Sequence, residues 1–163
     1  MQERFLEGRT ALVTGSVQGI GLAIGKALAS AGARLAVHGL ATREQADAAV
    51  HTMREAGAPD ARFFDADMRK PTAINAMMVS VRAWGGPDIL VNNAGIQQTA
   101  SLAEVTQQVW DDILAVNLSG AFHTMRRALP EMAIRGYGRV INIASVHGLV
   151  ASVLHLMQLS LTI

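Results

Sequence analysis

TALVTGSVQGIG, Thr10 to Gly21, is a short β-rich run that ends in a glycine turn and opens a helix. Thr10 to Thr14 supplies the strand, and apolar residues at helical spacing from Gly19 to Ala31 supply the helix, which Gly32 stops. The three glycines have separate physical uses at this junction. Gly15 permits a tight turn, Gly19 lets backbone approach a pyrophosphate, and Gly21 allows close packing of the helix. Unpaired N–H groups and a partial positive charge at the helix start suit phosphate oxygens, so the strand-turn-helix context gives the glycine pattern its meaning.

Outward from that turn the pattern repeats. Arg34 to Val37 reads as a buried strand, and Thr42 caps a helix running to Gly57. Ala61 to Phe64 is a third strand. Pro71 starts the next helix where its missing N–H costs nothing, and Gly85-Gly86-Pro87 ends it before the strand Asp88 to Val91. Ser101 to Met132 reads as mostly helical, in two pieces separated near Ser119-Gly120, and leads to a fifth strand, Arg139 to Ala144. Strands alternating with helices of this length imply an α/β protein with a doubly wound parallel sheet covered on both faces. The expected order is 3-2-1-4-5, of Rossmann type, with a ligand crevice at the carboxyl ends of strands 1 and 4.

The chain has 163 residues, the size of one domain, and its net charge of +1 gives no electrostatic footprint for nucleic acid or anionic lipid. Without cysteine it has no disulfide or thiolate metal site. The uncharged stretch Val140 to Ile163 is interrupted by Asn142, Ser145, His147, Ser152, His155 and Gln158, which argues against a membrane span. No apolar signal stretch surrounds Phe5 and Leu6, so a cytoplasmic location is the default expectation.

Further candidates follow the strand ends. An acidic residue about 20 positions beyond the glycine turn commonly holds the adenosine ribose. Here strand 2 runs into His38-Gly39-Leu40, so that acid is absent; Arg43 could favour a 2′-phosphate or be a solvated helix residue, and spacing leaves the choice between NAD and NADP open. Asn92-Asn93-Ala94-Gly95 follows strand 4, with small residues that would let backbone lie against a flat ligand. Ser145 follows strand 5 on the same rim. Asn117 falls within a helical stretch, where an amide weakens the helix unless it has partners.

Through TGSVQGIG, Asp67-Met68, NNAG, Asn117 and Ser145 the chain resembles the short-chain dehydrogenase/reductase family. Within it, VNNAGIQ (Val91 to Gln97), NLSGAFH (Asn117 to His123), ALPEM (Ala128 to Met132) and GRVINIASVHGLVAS (Gly138 to Ser152) are similar to the bacterial D-3-hydroxybutyrate dehydrogenase subgroup. The resemblance implies an oxidoreductase that binds NAD, with NADP less favoured, because that subgroup also lacks the acid after strand 2. Gly15, Ser16, Gln18, Gly19, Ile20, Gly21, Asp67, Met68, Asn93, Ala94 and Gly95 would hold the cofactor, with Asp67 and Met68 beside the adenine. Ser145 would orient the substrate oxygen, Asn117 would support a water and proton relay, and Gln97 and His147 would contact a small hydroxy or keto acid, His147 near its carboxylate.

The resemblance covers Arg9 to Val153, so residues 1–153 are read as the dinucleotide-binding domain and 154–163 as a non-matching tail. The family's proton-transfer tyrosine, thirteen residues after the serine, would fall on Gln158, and its lysine on Thr162; His155 stands at the subgroup's substrate-binding lysine. Tyrosine has an unperturbed pKa of about 10 and needs roughly 4 kcal/mol of local electrostatics to act near neutrality. Glutamine cannot titrate, and loss of a positioned acid or base typically costs about 10² to 10⁴ in rate. The expectation is therefore little or no turnover, from a frameshifted or shortened dehydrogenase. Without the family's later strands, strand 5 is expected to be an exposed edge beside uncovered helix surface, favouring homo-oligomeric or paralogue association or poor solubility.

Overall fold

The computed structural model describes residues 4–98 and 103–145. The elements run β1 (Thr10–Val13), α1 (Gly19–Ser30), β2 (Arg34–His38), α2 (Arg43–Glu55), β3 (Ala61–Phe64), α3 (Pro71–Ala83), β4 (Ile89–Asn92), α4 (Gln107–Leu114), a π-helical turn (Ala115–Ser119), α5 (Gly120–Arg135) and β5 (Arg139–Asn142). All five strands are parallel, in the order β3-β2-β1-β4-β5, with Leu12 opposite Ala36 on one side and Leu90 on the other. This is the doubly wound arrangement that the alternating pattern requires.

Local chemistry sets the boundaries. Thr42 accepts the Gln45 N–H while the Gln45 side chain accepts the Thr42 N–H, a reciprocal cap that fixes the start of α2. Pro71 occupies the first turn of α3, and Gly136, at φ 66°, ends α5 in the left-handed conformation. Period-two alternation divides the sheet between two cores. Ala11, Val13, Leu35 and Val37 face α1 and α2 with Ala29 and Met53, whereas Leu12, Ala36 and Leu90 face α3 and α5 with Ile74, Val81 and Met132. Truncating a fully buried residue such as Leu12 costs about 2–5 kcal/mol.

The helical stretch after β4 differs from its sequence reading. Its first described helix starts at Gln107, capped by Thr106, and no break separates two pieces at Ser119-Gly120. Instead α4 passes through the π turn directly into α5, a one-residue widening of the helix in place of a loop. Among the described residues β5 pairs with β4 alone, and Ile141 on it is 44% exposed. No described helix is long and apolar enough to cross a membrane.

At the amino ends of the strands, away from the crevice, the guanidinium groups of Arg9 (3.7 Å) and Arg139 (5.0 Å) lie over the Tyr137 ring, and those of Arg34 (4.2 Å) and Arg62 (5.4 Å) over the Trp84 ring.

Candidate functional site

The carboxyl ends of β1 and β4 are fastened together by Thr14. Its buried hydroxyl donates to Val91 O (3.4 Å) and accepts the N–H groups of Asn93 (3.0 Å) and Ala94 (2.9 Å). The Asn93 amide returns the connection, donating to Thr14 O (2.9 Å) and Gly15 O (3.0 Å). Asn93 therefore commits its amide nitrogen to the glycine turn. That commitment was not legible in the sequence, where NNAG reads equally well as a turn or a binding loop.

The turn itself has the shape of an anion cradle. Gly15 and Gly19 adopt φ of +64° and +58°, and the place a Gly19 Cβ would take is open. A Cβ on Gly21 would overlap the Gly15 carbonyl and the Asn93 amide, so Gly21 is needed by the turn and the β4 loop more than by the strands. Gln18 caps α1 in extended conformation without a side-chain bond, and the first turn of α1 holds no acid. A turn with left-handed glycines at Gly15 and Gly19, facing an uncapped helix start, fits the pyrophosphate of a dinucleotide. Ser16, expected at the cofactor, takes part in the turn's own bonding. It is buried, its hydroxyl donates to Val13 O (2.7 Å) and accepts the His38 N–H (3.1 Å), and its own N–H donates to His38 O (2.7 Å). A small hydroxyl next to a strand end closes on backbone, so Ser16 shapes the turn.

On the opposite rim the π turn gives Asn117 its partners. Its Oδ1 accepts the Ile96 N–H and its Nδ2 donates to Ile96 O, both at 2.9 Å, so one amide reproduces a strand-like pairing with the loop after NNAG. The wider turn displaces this side chain from the helical hydrogen-bond ladder and aims it at that loop. Behind it, Thr124 donates to Asn92 Oδ1 (2.7 Å) and Asn92 Nδ2 to Asn142 Oδ1 (2.9 Å), tying α5, β4 and β5 at the crevice floor. Sequence reading missed Thr124 and Asn142; for Asn142 the signal available was a polar side chain at the crevice end of a strand, whereas Thr124 lies inside α5.

Between the rims lies a cavity of about 370 Å³. Of the expected site residues it brings together Ile20, Met68, Asn93, Ala94, Gly95, Gln97, Asn117 and Ser145. Gly15, Ser16, Gln18, Gly19, Gly21 and Asp67 do not line it, and His147 lies outside the described residues, as do His155, Gln158 and Thr162. No described residue of this lining is ionisable, so the described lining carries no group that titrates near neutrality. Tyr137 precedes β5 and Ser145 follows it, so the chain's one tyrosine belongs to the far end of the sheet. Asp67 carries a partner that sequence reading missed. Arg69 binds both carboxylate oxygens at 2.9 Å and donates its N–H at 3.0 Å, holding the Asp67 carboxyl below its usual range. Arg69 also lies 3.8 Å from Asp112 on α4, linking the loop after β3 to the opposite rim.

Fold and cradle together define a doubly wound α/β protein of the dinucleotide-binding type, with its crevice at the point where the winding reverses. The chain belongs to the short-chain dehydrogenase family, whose description matches residues 9–157. That family consists of oxidoreductases that bind a nicotinamide dinucleotide. The chain is 50% identical to a D-beta-hydroxybutyrate dehydrogenase of Cupriavidus necator over 149 residues, which cover 90% of this chain and 57% of the relative. It is 46% identical to the Rhizobium meliloti protein of the same name over 145 residues, 88% of this chain and 56% of the relative. A crystal structure of a 3-oxoacyl (acyl-carrier-protein) reductase from Agrobacterium tumefaciens with NADP bound superposes with a TM-score of 0.86 at 36% identity, covering 92% of this chain and 57% of that one. The chain thus spans somewhat over half the length of these relatives.

Proposed function

We propose that this chain carries the cofactor-binding part, and a portion of the substrate site, of a D-3-hydroxybutyrate dehydrogenase that uses NAD. The observation that carries the reading is the 50% identity to a protein of that name across 90% of the chain. A bound nicotinamide would supply the hydride acceptor for the substrate carbon. In this reading the glycine turn and the α1 start take the pyrophosphate, Asp67 and Met68 flank the adenine, and the Asn93-Ala94-Gly95 backbone lies against the cofactor. Ser145 orients the substrate oxygen, Asn117 supports a water relay, and Gln97 and His147 meet the hydroxy or keto acid.

Two observations favour NAD over NADP. Leu40, 64% exposed, follows the β2 end where a ribose-binding group is usual, and offers a 2′-phosphate no hydrogen bond. The Arg43 side chain is 90% exposed with Asp47 3.8 Å away, a solvated pair of little strength. The proton-transfer positions fall on Gln158 and Thr162, so the chain is expected to bind the cofactor with little or no turnover. A second reading, association with an intact paralogue or a second copy, is favoured by Phe122, Leu129 and Ile134, all exposed on α5.

Calorimetric titration of the purified chain with NAD and NADP, with D-3-hydroxybutyrate oxidation followed by NADH absorbance, tests this reading. The expected result is tighter NAD than NADP binding and no sustained NADH production. Tighter NADP binding overturns the preference, brisk turnover overturns the inactivity, and silence with both cofactors overturns the binding function. Co-purification with a tagged full-length paralogue tests the second reading.

A further inference from the structure

His38 closes β2 with its side chain 1% exposed, turned beneath the glycine turn and not into the crevice. Its Nδ1 accepts the Gly15 N–H at 3.1 Å, and its Nε2 lies 3.0 Å from Ala66 O. A backbone N–H can only donate and a carbonyl can only accept, so these neighbours select the neutral imidazole with hydrogen on Nε2. Burial favours that neutral form, against smaller opposing effects from the Ala66 carbonyl and the Asp65 carboxylate. Backbone doubles the connection, because Ser16 N–H donates to His38 O and the His38 N–H donates to Ser16 Oγ.

The two ring bonds end on different parts of the cofactor site. Gly15 opens the pyrophosphate turn, and Ala66 immediately precedes Asp67 and Met68, which the proposed function sets beside the adenine. No other described side chain hydrogen-bonds to both segments. We propose that His38 is a positioning residue for the dinucleotide, a strut that fixes the pyrophosphate turn and the adenine loop relative to one another. It touches neither substrate nor cofactor and acts through Gly15 and Ala66. The inference rests on the dinucleotide reading, which supplies the ligand that both loops must meet at once.

The two ring bonds can be removed one at a time. His38→Asn keeps an acceptor near the Nδ1 position and cannot reach Ala66; His38→Gln keeps a donor near the Nε2 position and gives up the Gly15 bond. Calorimetry with NAD on the wild type and both variants, each verified as folded by urea denaturation, should show the dissociation constant rising about five- to tenfold in each variant, as expected for one lost buried hydrogen bond. A residue that merely fills the core would lower the urea midpoint and leave NAD affinity of the folded protein unchanged, and that result would overturn the proposal. A wild type that binds no NAD removes the dinucleotide reading itself, whereas binding that is equal in wild type and variants removes only the role of His38. Should the variants not fold, ¹⁵N spectra of the wild-type imidazole decide. An Nε2–H tautomer whose nitrogen resonances move on NAD saturation supports the strut, and an Nδ1–H tautomer or resonances indifferent to NAD overturn it.

Discussion

The two rims of the crevice are secured by different means. On the β1 side, Thr14, Ser16 and His38 are all buried, and each bonds to backbone of a neighbouring strand end or loop. On the β4–α5 side the loop at Ile96 is exposed and is held by the half-buried Asn117 amide. Breaking a buried hydrogen bond so that one partner is stranded costs about 1–3 kcal/mol, while an exposed one is replaced by water at about 0.5–1.5 kcal/mol. The β1 side is therefore rigid before any ligand arrives, and the β4–α5 side is lightly tethered. Residues from the ligand motif also hold the scaffold, because the Asn93 amide nitrogen and the Ser16 hydroxyl both bond to backbone of the turn and strand ends.

This contrast can be broken in order of expected effect. Gly21→Ala drives a methyl into the Gly15 carbonyl and the Asn93 amide, backbone on one side and a committed side chain on the other; urea denaturation should show a loss of about 3 kcal/mol or more. Thr14→Val keeps the shape and strands the N–H groups of Asn93 and Ala94, for an expected loss of about 2–3 kcal/mol by the same measurement. A loss below 1 kcal/mol would mean that the β1 rim is no better fastened than the other.

Asn117→Ala sharpens the comparison from the lighter side. Stability should fall by about 1 kcal/mol, and amide hydrogen exchange should speed up at Ile96 while Gly15 and Ser16 keep their protection. Faster exchange at Gly15 as well would show that the two rims open together.

The smallest effect is a slope with pH. His38 has a folded pKa below its ordinary value of 6.5, so above that pH both folded and unfolded chains carry it neutral and stability is complete. As pH falls below 6.5 the unfolded chain takes up a proton that the folded one refuses, and stability declines until the folded pKa is reached. Urea midpoints measured from pH 7.5 to 5 should fall for the wild type and fall less steeply for His38→Asn.

Much of this architecture was legible before any coordinates. Ala61–Phe64 was read without error, three other strands differ by one or two residues at one end and β4 is shifted by one residue at both, and the order β3-β2-β1-β4-β5 follows from alternation and winding. Strong periodicity and glycine punctuation carried that reading. What sequence could not carry was side-chain direction at element ends. Ser16 sits in a ligand motif yet faces Val13 and His38, and nothing in its neighbours' identities distinguishes inward from outward. Arg69 was passed over because its bidentate pair with Asp67 is made within the loop between β3 and α3, where no periodicity places side chains together. The π turn escaped for a similar reason: one additional residue in a helix alters no composition, and Asn117 and Ser119-Gly120 suggested a break where the structure widens.

That widened turn at Ala115–Ser119 holds one residue more than an α-helix of the same rise would need. The surplus is detachable: a chain lacking one residue there could run α4 into α5 as a uniform rod, with Thr124, Ala128 and Met132 still directed inward. What would disappear is the outward step that brings the Asn117 amide to Ile96. A one-residue deletion at this place would thus separate scaffold from function more cleanly than any substitution, leaving the architecture standing with one rim of its crevice untied.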